Sequence, residues 1–395
     1  MSNPLLHLAA AGQSVWLDYI HRRILENGEL QRLIDSDGVM GLTSNPSIFE
    51  QSIGQGTDYD DRLRGLLDEG VAAPAELYER LAISDVRTAA DQLRPAYDRQ
   101  AHRDGYVSLE VSPHLAMDTV ATVAEARRLW RTVDRPNLMI KVPGTGPGAA
   151  AVRQLIGEGI NINVTLLFGI EAYLAAAEAH VQGLEILRAD GGNLSEVHGV
   201  ASFFISRIDT EIDASIDRRL QAEAGSDAAE LTSLRGKVAI ANAKIAYQRY
   251  QEMVHTVRWR ALADAGAAPQ RLLWASIGVK DPAYSDVHYV ESLIGPDTVA
   301  TMPAKTLEAF RSRGHVSPSL TERLSEARDV LALAERLGLD LDGVTEALVV
   351  KGVRQFTDAF DSLVGVLADK RTRMLAEGVR NLGVKPADGR RPSSL

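Results

Sequence analysis

Apolar residues along this chain fall into two alternating rhythms. Short, near-continuous apolar runs recur at Ser14–Tyr19, Gly38–Ser44, Tyr106–Ser112, Asn137–Val142, Ile160–Leu166, Gly199–Phe204, Arg271–Ser276 and Thr298–Met302. Runs of that length, apolar on both alternating sides, predict parallel strands covered on both faces. Between them the spacing switches to the helical period, at Asp118–Arg131, Gly148–Gly157 and Ile170–Leu187. A strand–helix alternation repeated eight times predicts an α/β protein, and eight units favour a (β/α)₈ TIM barrel over a doubly wound sheet.

A minimal barrel needs about 250 residues, and this chain has 395. The surplus is expected in helices rather than linkers. Helical patterns lie at Asp58–Leu67 and Pro74–Gln92, then at Arg207–Ala222 and Asp227–His255. Others follow the last strand at Ala304–Arg313, Leu320–Leu337 and Leu341–Glu377. The expected organisation is one barrel domain over 1–382, with helical insertions near 45–105 and 205–270 and C-terminal helices over 304–378. The polar stretch 383–395, rich in Pro, Gly and Ser, reads as a disordered tail.

Composition narrows the chemistry. Fifty-three acidic against 43 basic residues give a net charge of -10, which argues against nucleic acid or an anionic membrane as the main partner. Local Arg or Lys can still hold an anionic substrate. With no cysteine, thiol catalysis, disulfides and cysteine zinc sites are excluded. No apolar run is long enough to span a bilayer, and the start of the chain lacks the pattern of a signal peptide, so a cytoplasmic location is expected.

In a barrel, chemistry gathers at the C-terminal ends of the strands. Asp18 ends the first run, Asn45 follows the second, and Glu110 lies in the third. Lys141 ends the fourth, Asn163 and Thr165 the fifth. Ser202 lies in the sixth with Arg207 just beyond, and Ser276 ends the seventh with Lys280 after it.

Lys141 interrupts the apolar Leu138–Val142 and would be enclosed by barrel walls, where burial disfavours an ammonium and frees the amine as a nucleophile. The competing reading is a structural lysine paired with an acid. Asp18 and Glu110 divide in the same way, between ion pairing and acid–base work. Asn45, in Ser-Asn-Pro, reads most simply as a helix cap. Asn163 and Thr165 share one face of a strand and read equally well as polar filling of the barrel interior. Ser202 and Ser276 read as small barrel residues, and Arg207 as a first-turn helix residue or a phosphate-binding guanidinium.

One motif competes. Gly144–Ala149 (GTGPGA) fits the dinucleotide fingerprint G-x-G-x-x-G/A, which would suit an NAD(P)-dependent oxidoreductase. Pro147 removes an amide from that loop, and no acidic residue ends the next run, so an ordinary strand–helix loop is the better reading.

In order and spacing, several segments together resemble the transaldolase family. They are Trp16-Leu17-Asp18, Thr43-Ser44-Asn45-Pro46, Ser108-Leu109-Glu110-Val111, Ile140-Lys141-Val142-Pro143, Asn161–Phe168 and Ser202–Asp209. Trp274–Asp286 and Thr301-Met302-Pro303 resemble its longer bacterial branch. The resemblance implies a class I aldolase barrel without metal or organic cofactor. It implies transfer of a dihydroxyacetone unit from sedoheptulose 7-phosphate to glyceraldehyde 3-phosphate, within the non-oxidative pentose phosphate pathway. Its residue roles carry over as follows: Lys141 forms the Schiff base, Asp18 takes the C4 hydroxyl proton, and Glu110 manages imine protons through a water that Thr165 helps hold. Asn45 and Asn163 hold substrate hydroxyls, while Ser202, Arg207 and Ser276 hold phosphate. Shorter family members carry a second phosphate-binding arginine where this chain has Gly278, and Lys280 is expected to supply that charge. The nearest alternative is a fructose 6-phosphate aldolase, which releases free dihydroxyacetone. A barrel scaffold without catalysis is a further alternative. Monomer and homodimer both remain open.

Overall fold

The computed structural model describes residues 3–54, 56–222 and 227–381; the tail expected over 383–395 lies outside these. Eight strands form a closed parallel barrel in chain order. They are β1 (Gln13–Asp18), β2 (Val39–Thr43), β3 (Tyr106–Glu110), β4 (Leu138–Pro143), β5 (Ile162–Leu167), β6 (Gly199–Phe204), β7 (Arg271–Ala275) and β8 (Thr298–Met302). All eight apolar runs became strands. Strands β3 to β8 are buried at every position, the expected consequence of a filled interior and a helical coat.

Strand edges shifted by one or two residues. Lys141 stands two residues before the end of β4 rather than at it, and Ser276 lies just past the end of β7. The helix at Pro74 runs to Arg99 rather than stopping near Gln92. It passes through Pro95, which sits on the exposed face, so the carbonyl left without its donor faces water while Leu81, Val86, Leu93 and Tyr97 hold the buried face. The single helix expected over Asp227–His255 is two, Ala228–Leu234 and Val238–Val254, separated by a turn with Gly236 at φ +67°. The helix expected from Leu320 starts at Leu324.

Large side chains fill the lower barrel. Trp16 is fully buried, and a Cβ on Gly41 would meet its ring at 2.4 Å, so β2 needs a glycine beside that indole. Around it, Asp104 accepts from Trp16 Nε1 at 2.7 Å and from Ser14 Oγ. Arg271 lies 3.7 Å from Asp104 and donates to Ser14 Oγ at 3.0 Å and to the Arg103 carbonyl at 2.7 Å. This closes the N-terminal end of the barrel.

The last helix, Leu341–Asn381, lies against the opposite end. It is fastened by Lys351–Glu211, Ser362–Glu50, and Lys370 to the Gly56 carbonyl and Asp60. Among the described residues no helix is long and apolar enough to cross a membrane.

Candidate active site

The parallel register aligns the functional strands side by side. Asp18 faces Thr43 across β1–β2, Glu110 faces Lys141 across β3–β4, and Lys141 faces Asn163 across β4–β5. Five residues far apart in sequence are therefore aligned on neighbouring strands.

Lys141 is buried, its Nζ donating to the Ser44 carbonyl at 3.0 Å and standing 3.4 Å from Glu110 Oε2. Among the described residues neither carboxylate oxygen of Glu110 has a hydrogen-bond partner meeting normal geometry. Burial raises the Glu110 carboxyl above its ordinary range, the Lys141 charge opposes that rise, and nearby Asp18 adds to it. Asp18 is also raised by burial, against the Thr43 hydroxyl and the charges of Lys141 and Arg207. Thr43 Oγ1 donates to Asp18 at 2.6 Å and lies 2.7 Å from Thr301 Oγ1, which fixes its rotamer.

Thr165 Oγ1 is fully buried and has no hydrogen-bond partner among the described residues. A register shift in β5–β6 falls between Val164 and Leu167, and Leu166 stands at φ +60°. A bulge of this kind re-aims the side chain beside it, and a β-branch-flanked leucine in left-handed conformation is a strained position of the kind found at sites. Ser276, at φ +52°, is a second such residue. Its hydroxyl lies 3.1 Å from Ser206 Oγ.

Asp18, Asn45, Lys141, Thr165, Ser202, Arg207, Ser276 and Lys280 line one cavity of about 260 Å³ at the C-terminal mouth of the barrel. Eight of the ten residues singled out from sequence thus share it. Asn163 lies in the wall behind, donating to Ser108 Oγ at 3.0 Å and accepting from Ser202 Oγ at 2.7 Å. Glu110 instead lines a larger, mostly apolar cavity of about 470 Å³ outside β3, while its carboxylate still meets Lys141. The smaller cavity is the one that holds the convergent chemistry. Asn45 also performs the capping job read from Ser-Asn-Pro, its Oδ1 accepting from the Ile48 amide at 3.0 Å.

Arg207 is half-buried, its guanidinium 5.3 Å over the Phe204 ring and donating to Gln355 Oε1 at 2.9 Å. Burial disfavours its charge, and Asp18 restores part of it. Gln355 and Phe356, both from the last helix, were not legible in sequence, since nothing local marks them. Thr43 and Thr301 carried a faint signal as polar residues closing apolar runs.

The glycine-rich loop serves the backbone. Thr145 caps the Gly146–Gly157 helix, its Oγ1 accepting from the Gly148 amide at 3.0 Å and donating to the Ala116 carbonyl at 2.6 Å. Thr119 donates to the Pro147 carbonyl at 2.8 Å. The amide that a pyrophosphate would need is already committed. Among the described residues no cluster of three or more His, Asp or Glu is placed to hold a metal ion.

A buried lysine beside a carboxylate, at the mouth of an eightfold barrel whose cavity also carries Arg207 and Lys280, has the make-up of a Schiff-base enzyme of the class I aldolase type. The chain belongs to the Transaldolase/Fructose-6-phosphate aldolase family, whose profile matches residues 15–367. Among named relatives, a transaldolase of a Parafrankia species is 47% identical over 371 residues, covering 94% of this chain and 98% of the relative. A transaldolase of Thiobacillus denitrificans is 49% identical over 353 residues, covering 89% and 96%. One from Thermobifida fusca is 45% identical over 371 residues, covering 94% and 99%.

Proposed function

We infer that this protein is a transaldolase, moving a dihydroxyacetone unit from sedoheptulose 7-phosphate to glyceraldehyde 3-phosphate and yielding erythrose 4-phosphate and fructose 6-phosphate. The barrel and its added helices act as one unit, the helices closing the mouth. The observation that carries this reading is the buried Lys141 amine, 3.4 Å from Glu110 and in one cavity with Asp18 and Arg207.

The Lys141 amine adds to the donor's C2 carbonyl. Glu110, whose carboxyl burial holds above its ordinary range, passes a proton through a water that the Thr165 hydroxyl helps hold, so that the carbinolamine loses its hydroxyl as water. The iminium then draws electrons from the C3–C4 bond as Asp18 takes the C4 hydroxyl proton. The aldose leaves, and an enamine of the three-carbon unit stays on Lys141. Addition to the second aldehyde reverses these steps, with Asp18 returning its proton. Asn45 holds a hydroxyl of the retained unit, Asn163 braces Ser202 from the wall behind, and Ser202, Arg207, Ser276 and Lys280 hold the phosphate. Water kept from the enamine carbon favours transfer over release. Phe356 from the last helix contributes an apolar wall there.

Borohydride reduction in the presence of fructose 6-phosphate, followed by peptide mapping, tests this. The adduct is expected on Lys141, and Lys141→Ala should abolish transfer without unfolding the protein. An adduct elsewhere would sink the assignment. Donor supplied without acceptor separates transfer from simple aldol cleavage. Steady aldehyde release under those conditions would favour the aldolase reading.

A further inference from the structure

The segment after β7 carries both Ser276 and Lys280 to the cavity rim. Lys280 is exposed, and among the described residues no hydrogen bond or ion pair of its side chain steadies it. A lysine on a flexible stem binds phosphate as a point charge, so its usefulness depends on how firmly its backbone is held. The source of that firmness lies outside the cavity.

Four residues beyond Lys280, Tyr284 folds back onto the helix Ser206–Ala222, the same helix that presents Arg207. Its hydroxyl donates to Asp213 Oδ2 at 2.8 Å. The other oxygen of Asp213 accepts from the Gly236 amide at 3.2 Å, in the turn between the two inserted helices. Gly236 leaves room for the phenol, since a Cβ there would meet Tyr284 Cζ at 2.7 Å. Neighbouring contacts close the seat. Asp281 lies 3.5 Å from Arg235, and it folds the loop through the Ala283 amide at 2.9 Å and the Tyr284 amide at 3.1 Å. His288 stacks on Tyr284 with ring centroids 5.3 Å apart and lies 3.1 Å from the Gly236 carbonyl.

We propose that Tyr284 and Asp213 form a clasp that positions Lys280 opposite Arg207, so that a phosphate meets two cations set at a fixed separation. The proposal rests on the reading that Lys280 binds the donor phosphate. It gives the inserted helices a job: they supply the Arg235–Gly236 turn against which the loop is seated. Tyr284 and Asp213 touch no reacting atom. They are positioning residues, acting through Lys280 alone.

The experiment compares steady-state kinetics with fructose 6-phosphate and with unphosphorylated fructose as donors. Tyr284→Phe and Asp213→Ala should each raise KM for the phosphate donor about three- to tenfold, the scale of one lost hydrogen bond. In both, kcat and the constants for fructose should stay at wild-type values. The double variant should be no worse than Asp213→Ala alone, because that variant already removes the link to Tyr284. Asp213→Asn should stay near wild type, since its amide can still accept from Gly236 and donate to the phenol oxygen. A general structural role would instead lower both donors alike, and that result would overturn the clasp. Lys280→Met separates the two layers of inference. If it raises KM for the phosphate donor while Tyr284→Phe and Asp213→Ala do not, the clasp is wrong and the phosphate role of Lys280 stands. If Lys280→Met has no effect on KM, the phosphate role of Lys280 fails and the clasp fails with it.

Discussion

Both ends of this barrel bury a cation beside a carboxylate, and the two pairs are built to opposite purposes. At the N-terminal end Arg271 and Asp104 stand 3.7 Å apart, and at the mouth Lys141 and Glu110 stand 3.4 Å apart, each side chain almost wholly buried. Asp104 also accepts from Trp16 and Ser14, while Arg271 donates to Ser14 and a backbone carbonyl. Among the described residues Glu110 accepts no hydrogen bond of normal geometry beyond its 3.4 Å approach to Lys141, and Lys141 donates to one carbonyl. Desolvating a charge is costly unless hydrogen bonds replace the lost water. The lower pair meets that condition and acts as structure. The upper pair has fewer protein partners, which leaves the Lys141 nitrogen and the Glu110 carboxyl open to a ligand. Choice of cation follows the same division, since a forked guanidinium can satisfy several acceptors and only an amine can form an imine.

The sharpest way to break this contrast is to neutralise the two carboxyls in turn. Glu110→Gln should slow imine formation and hydrolysis about 10²- to 10⁴-fold, the usual worth of a positioned proton donor. Exchange of the donor's ketone oxygen with labelled water reads that step directly. The unfolding midpoint should hold or rise. A stability loss with unchanged exchange would make Glu110 as structural as Asp104.

Asp104→Ala should cost about 3–5 kcal/mol of stability, because Arg271 is left buried without its counter-charge. Chemical denaturation measures this, and turnover per folded molecule should stay within about twofold, as the site lies at the other end of the barrel. Loss of turnover without loss of stability would mean that the ends are coupled.

A smaller effect concerns pH. Asp209, in the helix that carries Arg207, is pushed up to about 7, first by burial and then by Asp213, against the Ala239 amide and the Tyr289 hydroxyl. A raised carboxyl favours the fold while protonated, so its contribution is complete below the ordinary carboxylate range and is lost as pH rises through about 7. Asp18 and Glu110 are shifted in the same direction. The contribution of Asp209 should therefore be lost as pH rises from about 4 to about 7, and over that window the unfolding midpoint should fall less in Asp209→Asn than in the wild type. Parallel profiles for the two proteins would show that Asp209 does not carry that dependence.

The amino-acid sequence by itself determined the barrel. Eight apolar strand runs, with helical periods between them, leave few other ways to bury so much apolar surface in parallel strands. It also singled out Lys141 as the candidate nucleophile, because a lysine within Leu138–Val142 is anomalous wherever the strand is buried. Asp18, Glu110 and Arg207 were legible for the same reason: a charge at the end of an apolar run stands out. What the tertiary structure alone decided is which of these charges meet. The register set Glu110 beside Lys141, and closure of the barrel brought Thr301 of the last strand to Thr43 of the second. A helix some 150 residues further along the chain brought Gln355 to Arg207. Side-chain encounters of that kind depend on strand register and on long-range packing, which no local pattern encodes. The clasp at Tyr284 belongs with them, since a tyrosine in a polar loop carries no mark of the aspartate it will meet across two helices.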